Sequence, residues 1–96
     1  MKAINPASGE VAEEYPEHTP AQVSQKLHAA EAAFRDWRKM PADRRAKLFE
    51  ALAAHLRNVC DKLSRTITLE MGKPIGAAEG EIDKCAWVCE FYAERA

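Results

Sequence analysis

The chain has 96 residues, a formal net charge of −1, and acidic and basic residues that are interspersed. This balance provides neither a field that attracts nucleic acid nor a polybasic patch for a membrane surface, so we expect neither partner. The length is that of one small domain, and 47% apolar with 30% charged residues is typical of soluble globular proteins. Because so short a chain buries only about 60 to 65% of the surface that it exposes when unfolded, we expect a partner to complete its core.

Three cysteines, Cys60, Cys85 and Cys89, form an odd set without the paired spacing of a secreted disulfide framework. The first residues contain no apolar signal core, and no apolar run approaches the length of a transmembrane helix. We therefore expect a reducing, cytoplasmic location.

The first predicted element is a β-hairpin over residues 1–18. Its turn is the sequence Asn-Pro-Ala-Ser-Gly at residues 5–9, in which Pro restricts φ and Gly supplies a positive φ. Short strand-like segments flank the turn, one around Ile4 and one from Val11 to Tyr15. Since two strands alone are rarely stable in water, another part of the structure is expected to cover them.

A helix is predicted over residues 19–38. The Thr19 hydroxyl can accept a backbone N–H of the first turn, and Pro20 lacks an N–H that would otherwise be unpaired. Apolar residues then recur at steps of 4, 3, 4 and 3, which is the spacing of one helix face. These residues are Val23, Leu27, Ala30, Phe34 and Trp37.

A helical pair is predicted over residues 42–72. Pro41 separates it from the preceding helix, because Pro disfavours helical geometry in the residue before it. Asn58 is the expected bend between the two helices. Gly72 and Pro74 are expected to end the second helix, since Gly suits the left-handed residue after a helix and Pro prevents its continuation.

The last predicted helix spans residues 77–96. Its apolar arc is broad, which is typical of a helix that is covered on more than one side. The arc comprises Ile82, Cys85, Ala86, Trp87, Val88, Cys89, Phe91, Tyr92 and Ala93. The sequence stops at Ala96 without a cap or a closing turn, which is unusual for a natural terminus. The fold class expected is mainly α, with a short N-terminal hairpin followed by three to four helices.

No motif in the sequence predicts a catalytic or cofactor-binding residue. Lys73 after Gly72 suggests a phosphate-binding loop, but Pro follows where Ser or Thr is required and the earlier Gly is missing. Cys85 and Cys89 are four residues apart, yet the histidines show no ligand spacing that would complete a zinc site. We expect both cysteines to be small core residues. They also lie away from helix N-termini that would activate a nucleophilic thiol.

Acidic residues gather on the flank of the last helix, at Glu79, Glu81, Asp83, Glu90 and Glu94. Two carboxylates can share acid and base roles only when their environments separate their pKa values. These side chains are expected to face solvent, so we expect no catalytic pair among them.

Three stretches of the chain together resemble the N-terminal region of the NAD(P)-dependent aldehyde dehydrogenase superfamily. The first is the hairpin turn from Ile4 to Glu10. The second is the helix from Thr19 to Trp37, with its Ala-Ala-x-x-Ala-Phe-x-x-Trp spacing. The third is Ile-Thr-Leu-Glu-Met-Gly-Lys-Pro at residues 67–74, followed by Glu79 to Glu81 and by Phe-Tyr-Ala-Glu at residues 91–94. Thr-Leu-Glu-Met-Gly-Lys-Pro at residues 68–74, together with residues 84–89 and the Tyr-Ala-Glu ending, is most similar to the succinate-semialdehyde dehydrogenase-like branch.

The resemblance implies that the chain is a piece of a larger α/β enzyme, which oxidises an aldehyde, for this branch succinate semialdehyde, to the acid with NAD or NADP. It implies a cysteine thiohemiacetal, hydride transfer and thioester hydrolysis. The family's nucleophilic cysteine, its general-base glutamate and its dinucleotide-binding strands lie beyond the equivalent of Ala96. No catalytic or cofactor-binding residue is therefore expected in this fragment, which we expect to be inactive and without cofactor when alone.

Three residues carry over from the resemblance. Glu70 matches a position at which many members place an acid near a structural monovalent cation, although it is also typical of a solvated acid at a helix end. Lys84 and Val88 match a helix face that borders the substrate tunnel in some members. Lys84 is thus a candidate to attract a substrate carboxylate, and the alternative is a lysine that only faces solvent.

Two hypotheses follow. In the first, the chain is the N-terminal part of a dehydrogenase, and its partner is the missing catalytic portion of the same enzyme. In the second, it is a free-standing helical module that self-associates in a structural or binding role. Under either hypothesis, uncovered apolar helix faces favour a homo-oligomer.

Overall fold

An antiparallel hairpin opens the chain, with β1 at Lys2–Ile4 and β2 at Val11–Glu14. The computed structural model, which describes residues 1–95, pairs Lys2 with Glu14 and has an irregular register after Ala3. In the turn, Gly9 has a φ of 74°, and the Asn5 side-chain oxygen accepts a hydrogen bond from the Ala7 N–H at 2.9 Å. The predicted strand, turn and strand are confirmed.

The hairpin is attached to the third helix, α3 (Cys60–Met71), which lies beside β1. The Tyr15 hydroxyl donates a hydrogen bond to Glu70 Oε1 at 3.2 Å. The end of the helix also requires a glycine next to the hairpin turn. Gly72 adopts a φ of 70°, and a Cβ added there would lie 2.8 Å from Pro6 Cγ. Gly72 is thus the helix stop predicted from the sequence, and the turn packs against it.

The first helix, α1 (Pro20–Trp37), begins at a capping box. Thr19 Oγ1 accepts a hydrogen bond from the Gln22 N–H at 3.3 Å, and Gln22 Oε1 accepts one from the Thr19 N–H at 2.8 Å. The two reciprocal bonds satisfy donors that a helix start leaves unpaired. No residue of α1 is buried, and Leu27 and Phe34 are 66% and 59% exposed. The apolar stripe predicted for this helix therefore exists, but nothing in residues 1–95 covers it.

The remaining helices, α2 (Ala42–Asn58), α3 and α4 (Ile75–Glu94), form the packed part of the molecule, in which α4 contacts both others. One face of α4 is buried at steps of 4, 4, 3 and 4 residues, and most of its side chains are small. These residues are Ala78, Ile82, Ala86, Cys89 and Ala93. Ala53 of α2 and Ser64 of α3 are the buried residues opposite. Small side chains let the helix backbones approach closely. The core is therefore thin, and its stability depends on how closely the helix surfaces fit together.

The helix boundaries differ from prediction at the start of α4. We predicted a helix over 77–96, but it begins at Ile75 because Pro74 occupies the capping position immediately before it. Pro before a first helical turn removes no hydrogen bond, since that turn has unpaired N–H groups in any case. The predicted position Ala96 lies outside the described residues.

The cysteine prediction is right for Cys89, which is buried, and wrong for Cys85, which is exposed. Cys85 precedes the buried Ala86, and successive residues of a helix point about 100° apart. Its side chain therefore leaves the buried stripe. Cys60 is half-buried, and all three thiols are free.

An ion-pair cluster joins α2 to α4 at the surface. Arg57 Nη2 donates to Glu90 Oε2 at 2.9 Å in a two-pronged contact, and Arg57 Nε donates to Asp83 Oδ1 at 3.3 Å. Hydrogen bonding to Arg57 lowers the pKa of Glu90 below its ordinary value. This contribution to stability is present at neutral pH and is lost as the pH falls through the lowered pKa. The predicted solvent-facing role of these acids is thus wrong for Glu90, which is half-buried and paired.

The described chain is flat, with extents of 47 × 38 × 15 Å and a radius of gyration of 17.2 Å. A compact domain of this length has a radius of gyration of about 12.5 Å. The difference arises because α1 lies apart from the three packed helices. In residues 1–95 no helix combines the length and the apolar character needed to cross a bilayer.

The thin core predicts a sharp difference between two adjacent alanines of α2. Ala53 is 1% exposed, whereas Ala54 is exposed. We expect Ala53→Leu to lower the free energy of unfolding by about 1 to 3 kcal/mol, because the added methyl groups have no space. Ala54→Leu should change it by less than about 0.5 kcal/mol. Urea denaturation followed by circular dichroism measures both, and equal effects would contradict the packing described.

The contact of the hairpin with α3 predicts a high pKa for Tyr15. Partial burial raises the pKa of Tyr15 above 10.0, and the negative charge of Glu70 raises it further. Stability linked to this proton is present below pH 10.0 and is lost as the pH rises through the raised value. A Tyr92→Phe background leaves Tyr15 as the only tyrosine, so its ionisation can be followed by phenolate absorbance.

In that background, Glu70→Gln should lower the pKa of Tyr15 but leave it above the ordinary value, because burial is the largest cause. Titration of Tyr15 at or below its ordinary value in the parent would show that the hairpin does not pack on α3.

The uncovered stripe of α1 predicts that the isolated chain self-associates, since apolar patches of this kind favour association. Sedimentation should detect a dimer or a larger assembly. Replacing Leu27 and Phe34 together by Gln should weaken the association at least about tenfold, while Gln25→Ala, as a control, should not. A compact monomer at high protein concentration would contradict this prediction.

Candidate functional site

The candidate site is an open concavity of about 650 Å³ along residues 77–88 of α4. The helical spacing of three to four residues brings its side chains onto one face, and Lys73 completes it from the segment before the helix. Lys84 and Val88, the two residues assigned to a substrate tunnel by resemblance, lie in this one concavity. The full lining is Lys73, Ala77, Gly80, Glu81, Lys84, Cys85 and Val88.

The charges of the concavity do not balance. Lys73 Nζ forms an ion pair with the Glu81 carboxylate, whereas Lys84 has no carboxylate within 4.0 Å among the described residues. The site therefore carries one surplus positive charge beside apolar side chains such as Val88. A small molecule with an anionic end and an apolar chain fits this combination.

The sequence did not indicate that Lys73, Glu81 and Cys85 join this site. The signal available was the recurrence of residues 77, 81, 84 and 88 on one helix face. Lys73 reaches the concavity only because of the chain path through Pro74, and the spacing of residues along the sequence does not predict that path. Cys85 is exposed in the concavity, but it lies mid-helix, away from the N–H groups that would favour a thiolate.

Glu70 lies elsewhere, in a separate pocket of about 170 Å³ between β2 and α3. One of its oxygens accepts the hydrogen bond from Tyr15, and Glu13 also lines this pocket. The structure thus does not bring Glu70 together with Lys84 and Val88. No cluster of three or more His, Cys, Asp or Glu side chains suited to a metal is found within residues 1–95.

The described residues contain no glycine-rich loop for the phosphates of a dinucleotide. A phosphate-binding loop needs glycines that let successive backbone N–H groups surround an anion. The only glycines with positive φ in residues 1–95 are Gly9 and Gly72. Gly72 faces Pro6 and ends a helix, and the hairpin holds Gly9. Residues 1–95 therefore provide no glycine-rich phosphate-binding loop.

Comparison with known proteins relates the chain to one protein family. The family model described as the aldehyde dehydrogenase family matches residues 1–96. The chain is 39% identical over 92 residues to the succinate semialdehyde dehydrogenase [NAD(P)+] of Escherichia coli, covering 96% of this chain and 20% of that protein. It is 38% identical over 97 residues to the glutarate-semialdehyde dehydrogenase of Pseudomonas putida, covering 100% of this chain and 20% of that protein.

The fold agrees with the sequence match. The crystal structure of succinic semialdehyde dehydrogenase from Streptococcus pyogenes, in complex with NADP+, superposes with a TM-score of 0.90 at 29% identity. The match covers 98% of this chain and 21% of that one. The chain thus spans about a fifth of the length of the relatives it matches. By sequence and by fold it belongs to the aldehyde dehydrogenase family, as an N-terminal segment with the hairpin and helices of the larger fold.

Proposed function

We propose that this chain forms one wall of the substrate entrance in an NAD(P)-dependent aldehyde dehydrogenase that oxidises an aldehyde bearing a distal carboxylate, such as succinate semialdehyde. The observation that carries the proposal is the unpaired Lys84 ammonium beside Val88 in one concavity. The enzyme acts in the cytoplasm, as three free thiols favour.

The role of Lys84 is electrostatic. Glu81 neutralises Lys73, so Lys84 alone provides the attraction for a carboxylate. This attraction is screened over about 8 to 10 Å in physiological salt, so it acts only on a substrate that has reached the concavity. Val88 provides apolar surface in the same concavity for the methylene chain of such a substrate.

The named activities of the relatives support this substrate class. Succinate semialdehyde and glutarate semialdehyde, which name two of the matched enzymes, both carry a carboxylate distal to the aldehyde. The chemical step uses a nucleophilic thiol and a nicotinamide site, which the resemblance assigns to the part of the family's enzyme beyond the equivalent of Ala96. A catalytic portion, covalently continuous or separate, therefore has to complete the enzyme.

Glu70 has a second proposed role, as a neighbour of a structural monovalent cation. Its Oε1 is occupied by Tyr15, while its second oxygen and the nearby Glu13 carboxylate are hard oxygen donors of the kind such cations take.

The alternative function, a self-associating helical module without catalytic partner, is favoured by one observation, the uncovered apolar stripe of α1. The two functions predict different results when the chain is combined with a catalytic portion of the enzyme. Only the dehydrogenase function predicts that such a portion gains activity from this chain.

The proposal predicts a substrate-selective effect of Lys84→Gln. The test uses a chimera in which residues 1–96 replace the matched segment of the E. coli relative. We expect KM for succinate semialdehyde to rise about two- to fivefold, as for loss of one exposed charge contact, with kcat within about twofold. KM for butanal, which lacks the carboxylate, should not change. Lys62→Gln on the exposed face of α3 is the matched control.

Equal changes for both aldehydes, or none for either, would contradict the role of Lys84. Residues 1–96 alone should show no turnover of succinate semialdehyde with NADP, and turnover above the blank would contradict the need for a catalytic portion.

A further inference from the structure

A second concavity, also of about 650 Å³, lies between α2 and α4 close to the end of α1. We call it the α2–α4 groove. Its apolar side chains remain well exposed in residues 1–95, and it also contains two arginines. The groove is defined by Trp37, Arg45, Phe49, Val88, Tyr92 and Arg95.

The two arginines differ in their partners. Arg95 stacks on the Phe91 ring, with its guanidinium carbon 3.7 Å from the ring centroid, and lies 3.5 Å from a Glu94 oxygen. Arg45 is half-buried and has neither a salt bridge nor a side-chain hydrogen bond to any of residues 1–95. Its neighbour Arg44 is exposed. Arg45 is therefore the groove's unsatisfied cation.

The guanidinium of a half-buried arginine that lacks a protein partner has no charge or hydrogen bond to offset any loss of hydration. A carboxylate compensates for that loss best, because its two oxygens match the forked N–H groups of Arg. The aromatic walls offer space for a large apolar side chain next to that carboxylate. The chemistry of the groove thus specifies an occupant with both groups.

We infer that the α2–α4 groove is a docking surface for a polypeptide segment that places a large apolar side chain beside an Asp or Glu carboxylate, supplied by the catalytic portion of the same dehydrogenase. The inference rests on the proposed function. The S. pyogenes enzyme supports this occupant, because its matching segment has the same shape with a TM-score of 0.90 within a chain about five times as long. A second copy of the chain is the other candidate occupant, and the self-association of residues 1–96 tests it.

The test mixes residues 1–96 with the separately purified remainder of the E. coli relative, the part that follows the matched segment. Isothermal titration calorimetry measures their association at low and high salt. We expect Arg45→Met to weaken binding at least about tenfold, as for a lost desolvated charge pair, and Arg45→Lys to weaken it less. Arg44→Met, the adjacent exposed control, should change binding less than about twofold. Circular dichroism establishes that the variants fold as the parent does.

Each outcome is decisive. Tight binding by the parent with selective loss in Arg45→Met, and a decrease in binding at high salt, support the groove. Binding by the parent that Arg45→Met does not alter overturns the groove while leaving the proposed function in place. No binding by the parent, with both parts shown by circular dichroism to be folded, overturns the groove, whereas the proposed function is tested separately by the Lys84→Gln chimera. If Arg45→Met also abolishes self-association of residues 1–96, the occupant is a second copy, and the inference is wrong.

Discussion

The packed part of this chain depends on the close approach of α2 and α3 to the small-residue face of α4. That face carries Ala78, Ala86 and Ala93, so the helix backbones, rather than large side chains, form the contact. A core of this kind buries little apolar area and gains its stability from shape complementarity. Many large apolar side chains lie outside this contact and stay exposed, including Leu27 of α1, Phe49 of α2 and Trp87 of α4.

Ion pairs at the surface add to the helix contacts made by the small core. The acids of α4 have distinct partners: Glu90 and Asp83 bind Arg57 of α2, and Glu81 binds Lys73. Exposed ion pairs stabilise weakly, but a two-pronged contact at a helix junction restricts how the helices rotate against each other. Lys84 and Arg45 have no such partner among residues 1–95, so no nearby carboxylate neutralises their charges.

Two such cations face two different concavities of the same unit. Lys84 lies in an open concavity suited to a small anion, and Arg45 lies in an apolar groove suited to a polypeptide. Val88 lines both, so α4 connects the surface proposed for substrate with the surface proposed for docking. A helix used on several sides accounts for the broad apolar arc in its sequence.

Local signals in the sequence predicted the elements well, because each depends on nearby residues. The capping box at Thr19, the break at Pro41 and the left-handed Gly72 are set by short-range sterics and hydrogen bonds. The motif resemblance added the family, which no periodicity could have supplied. The start of α4 was misplaced by two residues, since Pro74 was taken only as a terminator when it also precedes a helix.

Only the tertiary structure decided which faces are covered. Periodicity placed Cys85 and Cys89 in the same apolar arc, yet α2 and α3 cover only Cys89, because burial depends on where the neighbouring helices lie. Periodicity likewise predicted the apolar stripe on α1, but it could not show that nothing in residues 1–95 covers this stripe. The sequence by itself determined the helices, the hairpin and the family; the pairing of Glu81 with Lys73, which leaves Lys84 free, required the fold, because it joins residues on either side of a chain turn.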